Sequence, residues 1–134
     1  MIIAHIINPV NVNEDNPSYL FYTQPLTFES MLSSKKFVEN KYNTHKINLY
    51  SINYPEDDEI VPDYFIKLPH LINSTKLKYP KISKKKLPFL QDIFNSILKN
   101  VNADYYIYSN SDIIVNKTFY EFIINKICRY NYDF

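Results

Sequence analysis

Residues 105–115 read YYIYSNSDIIV. Aromatic and β-branched residues fill the first half of this stretch, which is typical of a buried β-strand. The apolar run stops at Asn110-Ser111-Asp112 and then resumes. An amide and a carboxylate, two positions apart, therefore follow what we predict to be a strand over residues 105–109. The place of this strand in the fold decides whether the two side chains belong to a site.

The rest of the chain alternates between strand-like and helix-like segments. Residues 2–7 form a nearly continuous apolar run, and residues 46–52 are rich in β-compatible side chains, so we predict two further strands. Apolar residues recur at helical spacing in three segments, which predict helices over residues 25–38, 87–101 and 118–129. This alternation favours an α/β fold, a Rossmann-like sandwich with a mainly parallel sheet.

Three local features complete this prediction. Thr23 or Thr27 is expected to cap the first helix. Residues 54–74 contain three prolines and an acidic run, and we predict a solvated loop with one short strand at residues 64–68. The basic segment KLKYPKISKKK, residues 76–86, is expected to be exposed.

Length and composition limit the class of protein. The chain has 134 residues, enough for one domain over residues 1–134. It contains no glycine, which excludes a Walker loop and a GxGxxG fingerprint. A net charge of +1 argues against nucleic acid as a partner. No apolar run spans a bilayer, no secretory signal is recognisable, and a single cysteine fits a reducing compartment, so we expect a cytoplasmic protein.

Polar residues follow two of the predicted strands. Asn8 and Asn11 come after the first strand, and Asn110 and Asp112 come after the strand at residues 105–109. The carboxyl ends of parallel strands meet at one edge of a sheet, where ligands of α/β folds bind. Residues i and i+2 of an extended segment point to the same side. We therefore expect Asn110 and Asp112 to direct two oxygens at one point, with Ser111 facing away.

The Asn-Ser-Asp triplet has two interpretations. Carboxylate and amide oxygens suit hard divalent cations such as Mg²⁺ or Mn²⁺, which commonly keep waters and substrate phosphates as further ligands. Asp112 and Asn110 then form a weak metal site that a diphosphate completes. Alternatively the triplet is a turn, because Asn, Ser and Asp side chains often bond to nearby backbone groups at strand ends.

Six segments of the chain resemble GT-A type glycosyltransferases, which have the nucleotide-diphospho-sugar transferase fold. They are HIINPVN (5–11), TQPLTFESM (23–31), YPEDDEIVP (54–62), LPFLQDIF (87–94), DYYIYSNSDIIV (104–115) and FYEFI (119–123). In these enzymes the corresponding strand ends in a DXD-type motif that holds the metal and the sugar nucleotide. The resemblance implies that Asn110 takes the first acidic position and Asp112 the last. It also implies nucleotide contacts from Asn8, Asn11 and Asp92.

Several of these residues have an explanation that needs no ligand. Asn8 precedes a proline and can begin a turn, and Asp92 can be an exposed position of the helix over residues 87–101. Gln24 and Thr27 fall at the start of the first helix, where backbone N–H groups favour anions, but capping alone explains Thr27.

The expected function is binding of a nucleotide-diphosphate sugar with Mn²⁺ or Mg²⁺, and transfer of the glycosyl group to an unidentified acceptor. The resemblance covers the nucleotide-binding half of a GT-A enzyme, so we expect the acceptor half to be missing. One alternative is a non-enzymatic or truncated GT-like module that binds without turnover. Another is a small nucleic-acid-binding protein that uses residues 76–86, which the net charge disfavours. The base, the sugar, the acceptor, the catalytic residues and the oligomeric state stay open.

Overall fold

The computed structural model describes residues 1–12 and 18–130. Its strands form a four-stranded sheet in the order β3-β2-β1-β4, and all three pairings are parallel. The strands are β1 (Ile2–Asn8), β2 (Lys46–Ser51), β3 (Ile66–Lys67) and β4 (Tyr105–Asn110). The predicted α/β sandwich with a parallel sheet is therefore confirmed, and the strands lie close to their predicted bounds.

Four α-helices accompany the sheet within the described residues. They are α1 (Leu20–Lys41), α2 (Thr75–Lys78), α3 (Leu90–Asn100) and α4 (Phe119–Tyr130). The helices predicted over residues 87–101 and 118–129 correspond to α3 and α4. In the described part of the chain, no helix is both long enough and apolar enough to cross a membrane.

The apolar core is divided between the two faces of the sheet. One face packs against α1 and α4 through a cluster that includes Ile3, Ile7, Phe28, Met31, Val38, Ile47, Leu49, Tyr120 and Ile124. The other face is covered by α3 and the segment after β3, through Ala4, Ile6, Tyr50, Ile52, Leu68, Leu71, Ile93, Ile97 and Val101. Because β1 is buried on both faces, its sequence is nearly continuously apolar.

The start of α1 differs from the prediction. The helix begins at Leu20 rather than at Pro25, and neither Thr23 nor Thr27 is an N-cap. The hydroxyl of Thr23 donates to the carbonyl oxygen of Tyr19 at 3.1 Å, and that of Thr27 donates to Thr23 at 3.0 Å. Both threonines therefore bond to the preceding helical turn. Pro25 lies inside the helix, where it removes one backbone hydrogen bond.

The acidic segment is also more ordered than predicted. Pro55–Ile60 is a 3₁₀ helix, and Asp57 within it is only 5% exposed. The backbone N–H of Asn11 donates to Asp57 Oδ1 at 2.7 Å. Burial raises the pKa of Asp57. The prediction of a solvated loop is wrong at this residue because its carboxylate has a backbone partner from the loop after β1.

His5 is a buried polar residue at the centre of β1. Its Nδ1 lies 2.8 Å from Tyr120 Oη, and its Nε2 lies 2.8 Å from Ser109 Oγ. The Ser109 hydroxyl donates to the Asn110 carbonyl oxygen at 3.4 Å, which favours the tautomer whose Nε2–H donates to Ser109. Burial lowers the pKa of His5 to about 4. The imidazole is therefore neutral at pH 7.

His5 should make the free energy of unfolding fall as the pH falls from about 6.5 to about 4. The unfolded chain binds a proton on this residue near pH 6.5, whereas the folded protein does so only near pH 4. The full effect is about 3 kcal/mol. Denaturant unfolding at several pH values measures it for the wild type and for His5→Gln, which keeps a donor and an acceptor but does not titrate. The variant should show a flatter pH dependence, and equal slopes would contradict the assignment.

Candidate functional site

The order of the strands reverses at β1. The strands β2 and β3 are added on one side of β1, and β4 is added on the other side. Ligands of open parallel sheets bind at such a switch point, outside the carboxyl ends of the two strands. Asn8 at the end of β1 and Asn110 at the end of β4 are opposite each other in the strand register.

A cavity of about 170 Å³ lies at this switch point. It is lined by Asn8, Tyr19, Leu20, Tyr108, Asn110, Ser111 and Asp112. The end of β1, the end of β4 with its following turn, and the start of α1 each contribute to the lining. Three of the five predicted site residues, Asn8, Asn110 and Asp112, are thus brought together.

The segment that contributes Asp112 is a turn. Asn110 is the last residue of β4, and Ser111 and Asp112 form the turn after it. The N–H of Ile113 donates to the carbonyl oxygen of Asn110 at 3.3 Å. The expected outward orientation of Ser111 is wrong, because the backbone is not extended here and Ser111 is buried in the cavity lining. The turn interpretation holds for the backbone, and the turn still presents Asn110 and Asp112 to one cavity.

Tyr19 is a cavity residue that the sequence pattern did not reveal. Its hydroxyl donates to Asp112 Oδ2 at 2.9 Å. This hydrogen bond and the negative charge of Asp112 raise the pKa of Tyr19. The two residues are 93 positions apart, so no local motif connects them. The bond fixes one side of the carboxylate and leaves Oδ1 without a hydrogen bond from the described residues.

The start of α1 adds a favourable potential for an anion. Leu20, the first residue of the helix, lines the cavity, and the first turn contains no acidic residue. The backbone N–H groups of residues 21–23 already donate to the carbonyl oxygens of Ser18 and Tyr19. The contribution of the helix is therefore its dipole rather than free N–H donors.

Asn8 and Asn11 connect the loop after β1 to the segment after β2. Asn8 Nδ2 donates to the carbonyl oxygen of Ile52 at 2.6 Å. Asn11 bonds to Asp57 through its backbone and to the carbonyl oxygen of Glu56 through Nδ2 at 3.3 Å. Asn8 lines the cavity, whereas Asn11 does not and holds the loop in position.

Asp92 is not part of this cavity. It lines a separate groove of about 450 Å³ on the α3 side, together with Asn73 and Leu90 among others. Its Oδ2 accepts a hydrogen bond from Asn73 Nδ2 at 3.2 Å. The structure therefore separates Asp92 from Asn110 and Asp112.

The donors at the cavity fit a divalent cation that is shared with a ligand. Within residues 1–12 and 18–130, no three or more His, Cys, Asp or Glu side chains form a group suited to a metal. Asp112 and Asn110 supply two hard oxygens, and phosphate oxygens and water would have to supply the others, as is common for Mg²⁺. The residues present fit a weak, ligand-completed site.

The charge of the cavity restricts what can bind without a cation. Of the described residues that line it, only Asp112 is charged, and none is lysine or arginine. A diphosphate placed here would therefore be repelled by the Asp112 carboxylate unless a positive charge lay between them.

A second, largely apolar cavity of about 300 Å³ shares Leu20 with the first. Its other lining residues are Val12, Phe21, Gln24, Pro25, Phe28, Glu29, Ile60, Pro62 and Tyr64. The Tyr64 hydroxyl donates to Glu29 Oε1 at 3.1 Å, and burial raises the pKa of Tyr64. A polar and an apolar cavity thus adjoin at Leu20.

Neither cavity can be interpreted through a known relative. The chain matches no family model, no curated protein and no solved structure. The features that bear on function are the position of the polar cavity at the switch point, its side-chain oxygens and the single negative charge among its described lining residues.

Gln24, which lines the apolar cavity, holds the loop that follows β1. It is buried in α1, where its Oε1 accepts from the Val10 N–H at 2.9 Å and its Nε2 donates to the Val10 carbonyl oxygen at 2.7 Å. The prediction that Gln24 and Thr27 open the first helix is wrong, because α1 begins at Leu20 and both residues are buried within it. Gln24 instead satisfies the backbone of the loop that follows Asn8.

Gln24→Ala should destabilise the protein by about 2 kcal/mol, because both polar groups of Val10 lose their partner. Gln91→Ala is the matched control, since Gln91 is exposed on α3, and its effect should stay within about 0.5 kcal/mol. Urea unfolding of the two variants measures the difference. Equal losses of stability would show that the Val10 contacts do not hold this loop.

Proposed function

We propose that the chain binds a nucleotide-diphosphate sugar between β1 and β4, together with a divalent cation held by Asp112 and Asn110. One observation carries this proposal: Asn8, Asn110 and Asp112 surround a single cavity at the point where the strand order reverses. The resemblance of the sequence to GT-A enzymes supports the same class of ligand.

The two adjoining cavities suit different parts of such a ligand. The polar cavity would take the diphosphate, because it offers oxygen ligands for a cation and lies near the positive end of the α1 dipole. The apolar cavity, which shares Leu20 with the polar one, would take the nucleoside, since flat, largely apolar groups bind in such pockets. Tyr19 would orient the carboxylate of Asp112 through its hydroxyl.

Binding in this arrangement depends on a cation. The Asp112 carboxylate and a diphosphate carry charges of the same sign, and none of the described lining residues is a lysine or arginine that could offset them. Mn²⁺ or Mg²⁺ would supply this positive charge and would neutralise a departing nucleoside diphosphate. We expect no affinity for the sugar nucleotide when divalent cations are removed.

Glycosyl transfer to an acceptor is the reaction that belongs with this ligand. Binding without turnover is the other form of the same hypothesis. Release of nucleoside diphosphate from the sugar nucleotide over time, with Mn²⁺ present, distinguishes the two forms.

In the presence of Mn²⁺, at least one nucleotide-diphosphate sugar should raise the melting temperature by several degrees. A ligand at about 100 times its Kd stabilises the native state by about 2.7 kcal/mol. UDP-, GDP-, ADP- and CDP-sugars form the screen, and thermal unfolding is the measurement. Asp112→Ala should lose the shift, and so should the wild type in EDTA.

Two further carboxylates serve as controls for this experiment. Asp63→Ala removes an exposed carboxylate, and Asp92→Ala removes one in the separate groove, so both variants should keep the shift. Absence of binding by all four classes of sugar nucleotide would overturn the proposal. A shift that Asp112→Ala and Asp63→Ala reduce equally would place the ligand elsewhere.

A further inference from the structure

Residues 75–87, here called the lysine loop, concentrate positive charge. They contain six of the fifteen lysine and arginine residues of the chain and none of its fourteen Asp and Glu residues. The nearest acidic residues along the sequence are Asp63 and Asp92. The rest of the chain is therefore net acidic, and the molecule carries its excess positive charge in one segment.

Thr75 holds this loop in a closed shape. Its backbone N–H donates to the carbonyl oxygen of Leu87 at 2.8 Å, so the two ends of the loop meet. Its hydroxyl donates to the carbonyl oxygen of Lys85 at 2.8 Å and accepts from the Leu87 N–H at 3.2 Å. The Ser83 hydroxyl also bonds to Thr75 Oγ1, at 3.0 Å. The lysines are thus presented by an ordered loop with its own hydrogen bonds.

The same loop exposes aliphatic side chains. Ile82 is 86% exposed and Leu77 is 67% exposed, and about half of Leu87 is exposed. Leu77 also lines the groove that reaches Leu90 at the start of α3. Exposed aliphatic side chains and lysines therefore alternate within one short segment, which gives the loop both an apolar and a cationic component.

We propose that the lysine loop binds the surface of bilayers that contain anionic lipids. Lysines near an anionic headgroup layer each strengthen binding, and aliphatic side chains between them enter the boundary with the acyl chains. Ile82 is the inserting residue, with Lys81 and Lys84 on either side of it in the sequence. The loop attaches the protein to the surface and does not cross the membrane.

Five of the six lysines of the lysine loop are available to contact anionic headgroups. Lys86 is engaged elsewhere, because its ammonium pairs with Glu56 and lies over the ring of Tyr54 at 3.9 Å from the centroid. The other five are exposed, and no salt bridge to them is found among the described residues. Among the described residues that line the groove, Asp92 is the only acidic one, and Asn73 donates a hydrogen bond to it.

A nucleic-acid strand fits the loop less well. Binding of single strands relies on aromatic rings on which bases stack, and Tyr79 is the only aromatic residue of the loop. Its ring packs edge-on against Phe89 with a centroid distance of 6.5 Å, and Lys78 Nζ lies 5.7 Å from its centroid. A bound nucleic-acid strand would also leave the Ile82 side chain exposed to solvent.

Cosedimentation with vesicles tests the proposal. The full chain should bind vesicles of phosphatidylcholine with phosphatidylserine and should not bind vesicles of phosphatidylcholine alone. Replacing Lys81, Lys84 and Lys85 by Gln should weaken binding about a hundredfold, since each lysine near an anionic surface is worth roughly a fivefold factor. Ile82→Ser should weaken binding about tenfold, because the loss of a buried aliphatic side chain is worth at least that factor.

The matched control replaces Lys36, Lys117 and Lys126 by Gln. It removes the same charge from α1, α4 and the segment before α4, and should leave vesicle binding unchanged. Thermal unfolding checks that the variants fold. Because Ile82 is exposed, its replacement should not disturb the core. The proposal is overturned by absence of binding to the anionic vesicles at low salt, or by equal loss in the control. Binding to oligothymidylate that Ile82→Ser does not weaken, without vesicle binding, would assign the loop to nucleic acid instead.

Discussion

The double-sided pairing of β1 is the constraint on which the rest of the structure depends. This strand is hydrogen-bonded to β2 on one side and to β4 on the other, and both of its faces are buried. Its start is also fixed, since the Met1 amine donates to the Thr44 carbonyl oxygen and the Ile2 N–H donates to Asp104. A one-residue slip would turn His5 away from Tyr120 and Ser109, and would move Asn8 from its place opposite Asn110.

Much of the fold follows from patterns that the sequence displays locally. The apolar run of β1 and the helical spacing of α3 are strong signals, because each element buries a continuous or regularly repeated set of side chains. The start of α1 could not be predicted in this way. Tyr19, Tyr22 and Leu26 are apolar but exposed, so this end of the helix has no clear polar face, and Pro25 resembles a helix start although it lies inside.

The residues of the candidate site likewise differ in whether the sequence predicts them. The sequence predicts the proximity of Asn8, Asn110 and Asp112, because the ends of parallel strands share one edge of a sheet. The contribution of Tyr19 depends on a tertiary contact with Asp112, and the inward position of Ser111 depends on a turn. Residue spacing in the sequence predicts neither. Only the resemblance suggests Asp92 as a site residue, and in the structure this residue lines another groove. The sequence thus predicts the strand topology, but it does not predict the tertiary side-chain contacts that complete the cavity.

The closure of the lysine loop by Thr75 also makes the loop structurally independent of the sheet. Since residues 75 and 87 are joined by a backbone hydrogen bond, the chain leaves and re-enters the fold at nearly one place. No strand of the sheet includes a residue of this loop. A segment of this kind can be lengthened, shortened or exchanged without changing the strand register. The length and charge of the lysine loop can therefore change without altering the residues that line the polar cavity at the switch point.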